Sequence, residues 1–111
     1  MLFRSWYAQA TTATPTGMSD WLRHEVAQGG INYGNSCCII NNAPAFTFWD
    51  GRLRFAWAAT DNPSSAEDWA IHIVDTSADV GRFASLNLNS GLPAISYYDY
   101  TNKDLKYASG Q

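Results

Sequence analysis

The chain has 111 residues, which suits a single domain and is too short for two domains of ordinary size. Hydrophobic residues make up 46% and charged residues 15%, so the composition is that of a folded domain and excludes intrinsic disorder. The net charge is −3, and the pair Arg52 and Arg54 is too small to form a basic patch, which argues against nucleic acid as a partner.

In chain order, the sequence predicts an all-β chain of nine short strands. The first strand covers residues 2–8 and is followed by a loop at residues 11–17, whose threonine, proline and glycine content is typical of a loop. Alternating, β-branched and aromatic residues predict the other eight strands, at residues 21–27, 37–41, 44–50, 52–58, 69–75, 85–89, 93–100 and 104–109. An Asp-Gly dipeptide at residues 50–51 predicts a two-residue hairpin, residues 100–103 a longer turn, and residues 61–68 at most one helical turn.

The sequence also repeats itself with a period of about 48 to 52 residues, which lies in the range of β-propeller blades. The dipeptide Asp-Trp at residues 20–21 recurs at residues 68–69, and His24 then aligns with His72. One extra residue near Gly91 is needed to keep the later strands aligned. The alignment divides the chain into a partial repeat with a loop, a first repeat and a second repeat, at residues 1–19, 20–67 and 68–111.

The second repeat resembles a known family. Residues 92–108 read LPAISYYDYTNKDLKYA and resemble a repeat of bacterial β-propeller proteins, P-x-I-S-Y-Y-D-x-T-N-x-D-L-K-Y-A. In that family the hairpin is accompanied by a W-x-x-x-x-V-D strand, a Val-Gly pair and an S-L-x-L strand, which residues 69–75, 80–81 and 85–88 match. The resemblance covers about nine tenths of the chain and implies a propeller fold, but it indicates little about function. Sialidase-like propeller repeats are less similar, because their S-x-D-x-G-x-T-W motif is absent.

The length of the chain limits it to two blades, whereas a propeller ring requires roughly four to eight. An isolated pair of blades exposes its two flanks, which are expected to carry Phe46, Phe48, Ile71, Ile73, Ile95 and Tyr97. Leaving such side chains in water is unfavourable by ~1.5–3 kcal/mol each. We therefore expect the partners of the chain to be further copies of itself, joined head to tail. Two blades per copy give four blades in a dimer, six in a trimer and eight in a tetramer. The trimer is favoured because six lies in the middle of the usual range, and two-bladed sugar-binding lectins that form six-bladed trimers are an analogy for such an assembly.

The nine strands fall into groups of two, four and three along the chain. The strand at residues 21–27 is expected to complete the C-terminal blade of a neighbouring copy, which lacks a fourth strand. The strand at residues 2–8, which resembles residues 53–59, is then surplus. It either pairs outside the blade or replaces the strand at residues 104–109 in the shared blade, and the sequence leaves both alternatives open.

Aromatic and basic residues at equivalent places of the two repeats form the candidate ligand site. Trp49 and Tyr98 lie near the ends of equivalent strands, and Arg54 matches Lys106 on the strand that follows. If each cation shares a face with its ring, the pair is either internal cation–π packing or a sugar site, in which a ring stacks on the sugar. Trp57 is a further candidate, either as an exposed anchor for a ligand or as a contact between chains.

The sequence contains no catalytic or phosphate-binding motif, no zinc-ligand spacing and no apolar run long enough to span a membrane. No catalytic residue, metal, cofactor or membrane partner is therefore predicted. Cys37 and Cys38 are adjacent and are expected to be two free thiols. His24 and His72 are expected to be structural. Four aspartates at equivalent places are expected to cap turns through backbone N–H groups, namely Asp20, Asp50, Asp68 and Asp99.

These observations favour a non-enzymatic binding or scaffold propeller that assembles from several copies, with carbohydrate as the favoured ligand class. One alternative is a sialidase-like or lyase-like enzyme with a site in the central channel, which requires carboxylates such as Asp50 and Asp99 within ~5–10 Å of one another. A second alternative is a fragment of a longer propeller without an activity of its own. No signal peptide is evident at residues 1–10, so the expected location is the cytoplasm by default.

Overall fold

The computed structural model describes residues 4–28 and 31–110, and these residues form an all-β chain. The nine predicted strands are confirmed in this part of the chain, although the start predicted for the first strand, at residues 2–3, lies outside it. Two short 3-10 turns, Met18–Asp20 and Ala66–Asp68, precede the second and sixth strands. The strands are β1 (Arg4–Ala10), β2 (Trp21–Gln28), β3 (Ile31–Ile40), β4 (Ala43–Trp49), β5 (Leu53–Ala58), β6 (Trp69–Asp75), β7 (Val80–Asn89), β8 (Leu92–Asp99) and β9 (Asp104–Ser109).

The strands form three antiparallel sheets that follow one another along the chain. β1 pairs with β2 in the N-terminal sheet, β3 to β6 form the middle sheet in sequence order, and β7 to β9 form the C-terminal sheet. This grouping into two, four and three strands is the one that the sequence predicts. β1, the strand that was expected to be surplus, pairs with β2 within the chain. In the part of the chain that the structure describes, the three sheets do not close into a ring.

The first hairpins of the middle and C-terminal sheets have turns of equal length. Residues 41–42 and residues 90–91 all have positive φ angles, the combination that a two-residue type I′ turn requires. The extra residue of the second repeat is therefore not near Gly91, and that prediction is wrong. Ser36 in β3 and Ser85 in β7 already occupy equivalent register positions. The extra residue therefore lies before Ser85 in the second repeat, where the pairing of both strands is irregular.

The second hairpins differ in length, and one prediction about them is wrong. Trp49 pairs with Leu53, so the loop between β4 and β5 has three residues rather than the two predicted. Gly51 in this loop has a φ of 100°, a left-handed conformation that glycine adopts without strain. The loop between β8 and β9 is longer, as predicted, because Asp99 pairs with Asp104.

The middle sheet is packed on both faces. The C-terminal sheet covers one face, where the buried cluster consists of Ile40, Ala45, Leu53, Phe55, Val80, Ala84, Leu86, Ile95 and Tyr97. The N-terminal sheet covers the other face, where the cluster consists of Val26, Ala43, Phe46, Phe48, Ala56, Ala58 and Trp69. Removal of this apolar surface from water holds the three sheets together.

Several residues that were expected on exposed flanks are buried instead, namely Phe46, Phe48, Ile95 and Tyr97. The reason is that the N-terminal sheet covers the middle sheet, and the C-terminal sheet turns the corresponding face inward. Of the other two expected residues, Ile73 is 37% exposed and Ile71 is half-buried. The apolar flanks that the chain does expose belong to the outer sheets, with Trp6 in β1 and both Leu105 and Tyr107 in β9.

β7 closely approaches β5 at Gly81. A Cβ atom at this residue would lie 2.6 Å from the Cα atom of Leu53, and the φ of Gly81 is 112°. Both the close contact and the backbone conformation require glycine at this position. The Val-Gly pair at residues 80–81 thus has a physical reason in this chain, because it lets two sheets pack at short range.

Candidate functional site

The middle sheet separates Trp49 from Arg54. Because Trp49 pairs with Leu53, Arg54 stands opposite Phe48 and lies on the other face of the sheet. The Nε atom of Arg54 donates a hydrogen bond of 3.0 Å to Oδ1 of Asp50, which replaces the turn cap predicted for that aspartate. This pair therefore does not form the shared face on which the predicted site depends. The third residue of the β4–β5 loop is the cause, since a register change of one residue moves a side chain to the opposite face.

The second predicted pair is separated in the same way. Lys106 stands opposite Tyr97, whereas Tyr98 lies on the other face of β8. The Nζ atom of Lys106 lies 2.9 Å from Oδ2 of Asp75, at the end of β6. Trp57 is 39% exposed, while the other four predicted residues are buried or half-buried. The five residues lie on different faces and do not converge, so ligand binding by them stays a prediction.

A cation does lie beside Trp49, but it comes from the neighbouring sheet. The guanidinium carbon of Arg82 in β7 lies 4.4, 4.7 and 3.9 Å from the ring centroids of Tyr33, Trp49 and Tyr100. The Nε1 atom of Trp49 donates a hydrogen bond to Asp79, which also forms an ion pair of 3.1 Å with Arg82. Arg82 is half-buried and Trp49 buried, whereas Tyr33 and Tyr100 are exposed, so this cluster is cation–π packing at the boundary between two sheets.

A polar network joins the middle sheet to the C-terminal sheet. Oδ2 of Asp75 accepts a hydrogen bond of 2.7 Å from the hydroxyl of Tyr97 and lies 2.9 Å from Nζ of Lys106, which also donates to Ser77. Burial opposes the charged form of Asp75, but hydrogen bonds from these groups outweigh it and hold the pKa of Asp75 well below its usual value. Burial and the nearby carboxylate raise the pKa of Tyr97. The charges compensate one another, which is typical of a structural contact rather than of an acid–base pair.

Three of the four aspartates cap turns, as predicted. Oδ2 of Asp20 accepts a hydrogen bond of 2.9 Å from the backbone N–H of Thr16, and Oδ2 of Asp68 accepts one of 2.8 Å from that of Ser64. Asp99 is buried and accepts a backbone hydrogen bond of 2.9 Å within the β8–β9 loop. The backbone hydrogen bonds are the main cause of the lowered pKa values of Asp20 and Asp68.

Trp69, the first residue of β6, joins the middle sheet to the N-terminal sheet. Its Nε1 atom donates a hydrogen bond of 2.8 Å to Nε2 of His24 in β2. The ring of Tyr7 packs against both side chains, with its centroid 5.1 Å from that of Trp69 and 5.8 Å from that of His24. Trp69 is only 8% exposed in this contact. The structural role predicted for His24 is therefore confirmed.

The local structure around Trp69 is repeated at Trp21, 48 residues earlier. Ala10 pairs with Trp21 as Ala58 pairs with Trp69, and each tryptophan follows a 3-10 turn. β1 is therefore the structural equivalent of β5 at an offset of 48 residues. The sequence comparison matched these two strands three residues out of register, and that detail of the prediction is wrong.

On the face toward the C-terminal sheet, the middle sheet carries an aromatic ring and a histidine like those that hold Trp69, but no tryptophan of the described residues contacts them. Phe55 and His72 correspond to Tyr7 and His24, and their ring centroids are 5.4 Å apart. A cleft of about 400 Å³ lies beside them, between β6 and β9, and Val74, Pro93, Ile95 and Ala108 are among the residues that line it. Within the described residues the C-terminal sheet has three strands, so it lacks the strand that would carry a tryptophan to His72.

A second cleft, of about 420 Å³, lies beside the N-terminal sheet. It separates β1 from β3 and β4, and Tyr7, Cys37, Phe46 and Phe48 are among its lining residues. The cleft forms because a two-stranded sheet covers only part of a four-stranded one. Cys37 and its neighbour Cys38 are free thiols, as predicted, and burial raises the pKa of both.

No protein-family model, curated protein sequence or solved structure matches the chain. Among residues 4–28 and 31–110, no group of three or more His, Cys, Asp or Glu side chains is placed to hold a metal ion. The part of the chain that the structure describes also has no helix with the length and apolar character needed to cross a membrane. The candidate functional features of the described residues are therefore these two clefts, a third of about 410 Å³ whose lining includes Phe83, Tyr98 and Leu105, and the exposed faces of the outer sheets.

Proposed function

We propose that the chain is the building unit of a β-propeller formed by several copies, and that this propeller acts as a non-enzymatic binding or scaffold protein. The observation that carries the proposal is the packing of the middle sheet between two sheets of equivalent strands. The middle and C-terminal sheets turn corresponding faces toward the sheet that precedes them, as the blades of a propeller do. If each further sheet packs on the preceding one in this way, the sheets form a ring.

The outer face of the C-terminal sheet supports the proposal by its exposed apolar residues. Leu105 and Tyr107 are 88% and 60% exposed, whereas the equivalent Leu53 and Phe55 are 0% and 7% exposed. The difference arises because the next sheet covers the face of Leu53 and Phe55. Burial of the two β9 side chains in the same way would contribute ~1.5–3 kcal/mol for each of them, which favours association between copies.

The strand count gives two blades for each copy and therefore an even number of blades in the ring, and we propose three copies because six blades lie in the middle of the usual range. Each copy supplies one complete four-stranded sheet and two partial sheets, which combine with those of its neighbours into a shared blade. Three copies then form six blades, within the usual range of propellers. Light scattering on a sizing column is expected to give about 37 kDa, three times the 12.3 kDa of the chain. A chain that keeps the mass of one copy at every protein concentration tested would contradict the proposal.

A charged substitution on the exposed flank tests which surface is buried. Leu105→Glu is expected to dissociate the assembly, because a carboxylate without a partner is unfavourable in an apolar interface. Asn62→Glu introduces the same charge in an exposed turn and serves as the matched control. If Leu105→Glu keeps the mass of the wild-type assembly, this flank is not an interface.

Carbohydrate is the ligand class that we propose for the assembled propeller. Trp6 and Trp57 are 61% and 39% exposed, and rings of this kind provide flat apolar surfaces on which sugars stack. A glycan array identifies a candidate sugar, and a titration then follows tryptophan fluorescence in the wild type and in Trp57→Ala. The expected result is a saturable change that Trp57→Ala reduces. An array without any bound glycan would contradict this ligand class and leave the scaffold role.

A further inference from the structure

We propose that the cleft between β6 and β9 binds strand β2 of a second copy, and that Trp21 of that copy donates its indole N–H to His72. The inference rests on the proposed function, because the second copy is the neighbour in the propeller. The contact between copies is thereby assigned to the inserted side chain of Trp21 and to His72, which accepts its hydrogen bond. It also explains why a largely apolar cleft lies beside an exposed histidine.

The inserted side chain has a complete example within the same chain. Trp21 begins β2 as Trp69 begins β6, and both follow a 3-10 turn fixed by an aspartate, Asp20 or Asp68. Trp69 is 8% exposed because it is inserted between the middle and N-terminal sheets, whereas Trp21 is 39% exposed. Trp21 thus presents the same indole from the same local structure, but without the neighbouring sheet that covers Trp69.

The cleft beside His72 has the composition of the cluster that surrounds Trp69. In both places an aromatic ring and a histidine lie on adjacent strands, and small or β-branched apolar residues complete the wall. A volume of about 400 Å³ leaves room for an indole ring. The corresponding residues are Tyr7 and Phe55, His24 and His72, Val26 and Val74, and Ala56 and Ala108.

The contact does not depend on which third strand the shared blade uses. β1 and β9 are both equivalents of β5, the third strand of the middle sheet. A shared blade therefore has two candidates for its third position. Either β1 of the second copy separates from β2, which then pairs with the edge of β9, or the intact β1–β2 hairpin replaces β9 beside β8. β2 is the outermost strand in both arrangements, and Trp21 reaches His72 in both.

Sedimentation over a dilution series tests the inference with three single variants. Trp21→Ala is expected to raise the dissociation constant of the assembly about 100-fold or more, because a buried tryptophan is lost. His72→Phe keeps a ring but removes the acceptor, and about a five-fold increase is expected. Leu22→Ala is the control, since Leu22 is the next residue of β2, faces the opposite side and is 56% exposed. Circular dichroism checks that each variant is folded.

A double variant tests the hydrogen bond itself. Trp21→Phe together with His72→Phe should weaken assembly by less than the sum of the two single changes, because both remove the same hydrogen bond. Additive effects, or a Trp21→Ala chain that assembles like Leu22→Ala, would overturn the inference and leave the proposed propeller intact. A wild-type chain that stays a single copy would contradict the proposed function itself, so the two failures are distinguishable.

Discussion

Replacement of Gly81 by alanine is expected to destabilise the fold through two separate effects. A Cβ atom at residue 81 would lie 2.6 Å from Cα and 2.7 Å from Cβ of Leu53, so β7 and β5 must move apart. Overpacking of this kind costs about 1–3 kcal/mol. The φ of 112° adds backbone strain of about 1–3 kcal/mol once a side chain is present.

Gly51→Ala is the matched control for this prediction. Gly51 has a φ of 100°, but a Cβ atom there would meet nothing within 4 Å, so the variant loses stability through strain alone. Urea unfolding at equal protein concentration measures both variants. With a slope of ~2 kcal/mol per M, Gly81→Ala should unfold at about 0.5–1.5 M less urea than Gly51→Ala. Equal midpoints would refute the close approach of β7 to β5.

Three further predictions concern single side chains. Trp69→Phe should destabilise the fold by about 1–3 kcal/mol, because His24 loses its donor and the smaller ring leaves part of a buried site empty, and an unchanged urea midpoint would show that this contact does not stabilise the fold. Stability should decrease below about pH 4, because the pKa of Asp75 is lowered in the folded state. The contribution of Asp75 is complete above the pKa of the unfolded carboxyl and is lost as the pH falls through the lower folded value. Urea midpoints at pH 7 and pH 3 should therefore differ less in Asp75→Asn than in the wild type, and an equal difference would contradict this role. Cys38, which is half-buried, should react with iodoacetamide at pH 7 more slowly than in the urea-unfolded chain, because burial raises its pKa, whereas Cys37 is exposed; equal rates at Cys38 would show that the fold does not protect it.

The number and grouping of the strands could be predicted because the signals for them are local. Alternating apolar residues define each strand, and glycine, proline and asparagine separate one strand from the next. The register between strands could not be predicted in the same way, because it depends on the exact length of each loop. Residues 50–51 are a two-residue hairpin signal, yet the loop also includes Arg52. That single residue places Arg54 on the face opposite Trp49.

The contacts between sheets could not be found by comparing repeats, for a different reason. Alignment matches equivalent residues, such as His24 with His72, and these lie in separate sheets. Neighbouring sheets contact one another through residues that are not equivalent, and the donor of the hydrogen bond to His24 is Trp69, 45 residues away. Arg82 likewise reaches Trp49 from the following sheet. The repeated histidines and tryptophans marked the right positions, but only the packing of the sheets shows which of them meet.

The presence of both β1 and β9 in one chain affects the order of events during biosynthesis. In the proposed propeller, β1 protects the edge of β2 and β9 protects the edge of β8 until a neighbour arrives. Folding of each copy is then unimolecular and can finish soon after translation. Ring closure becomes a later step whose timing depends on how much of the protein the cell has accumulated.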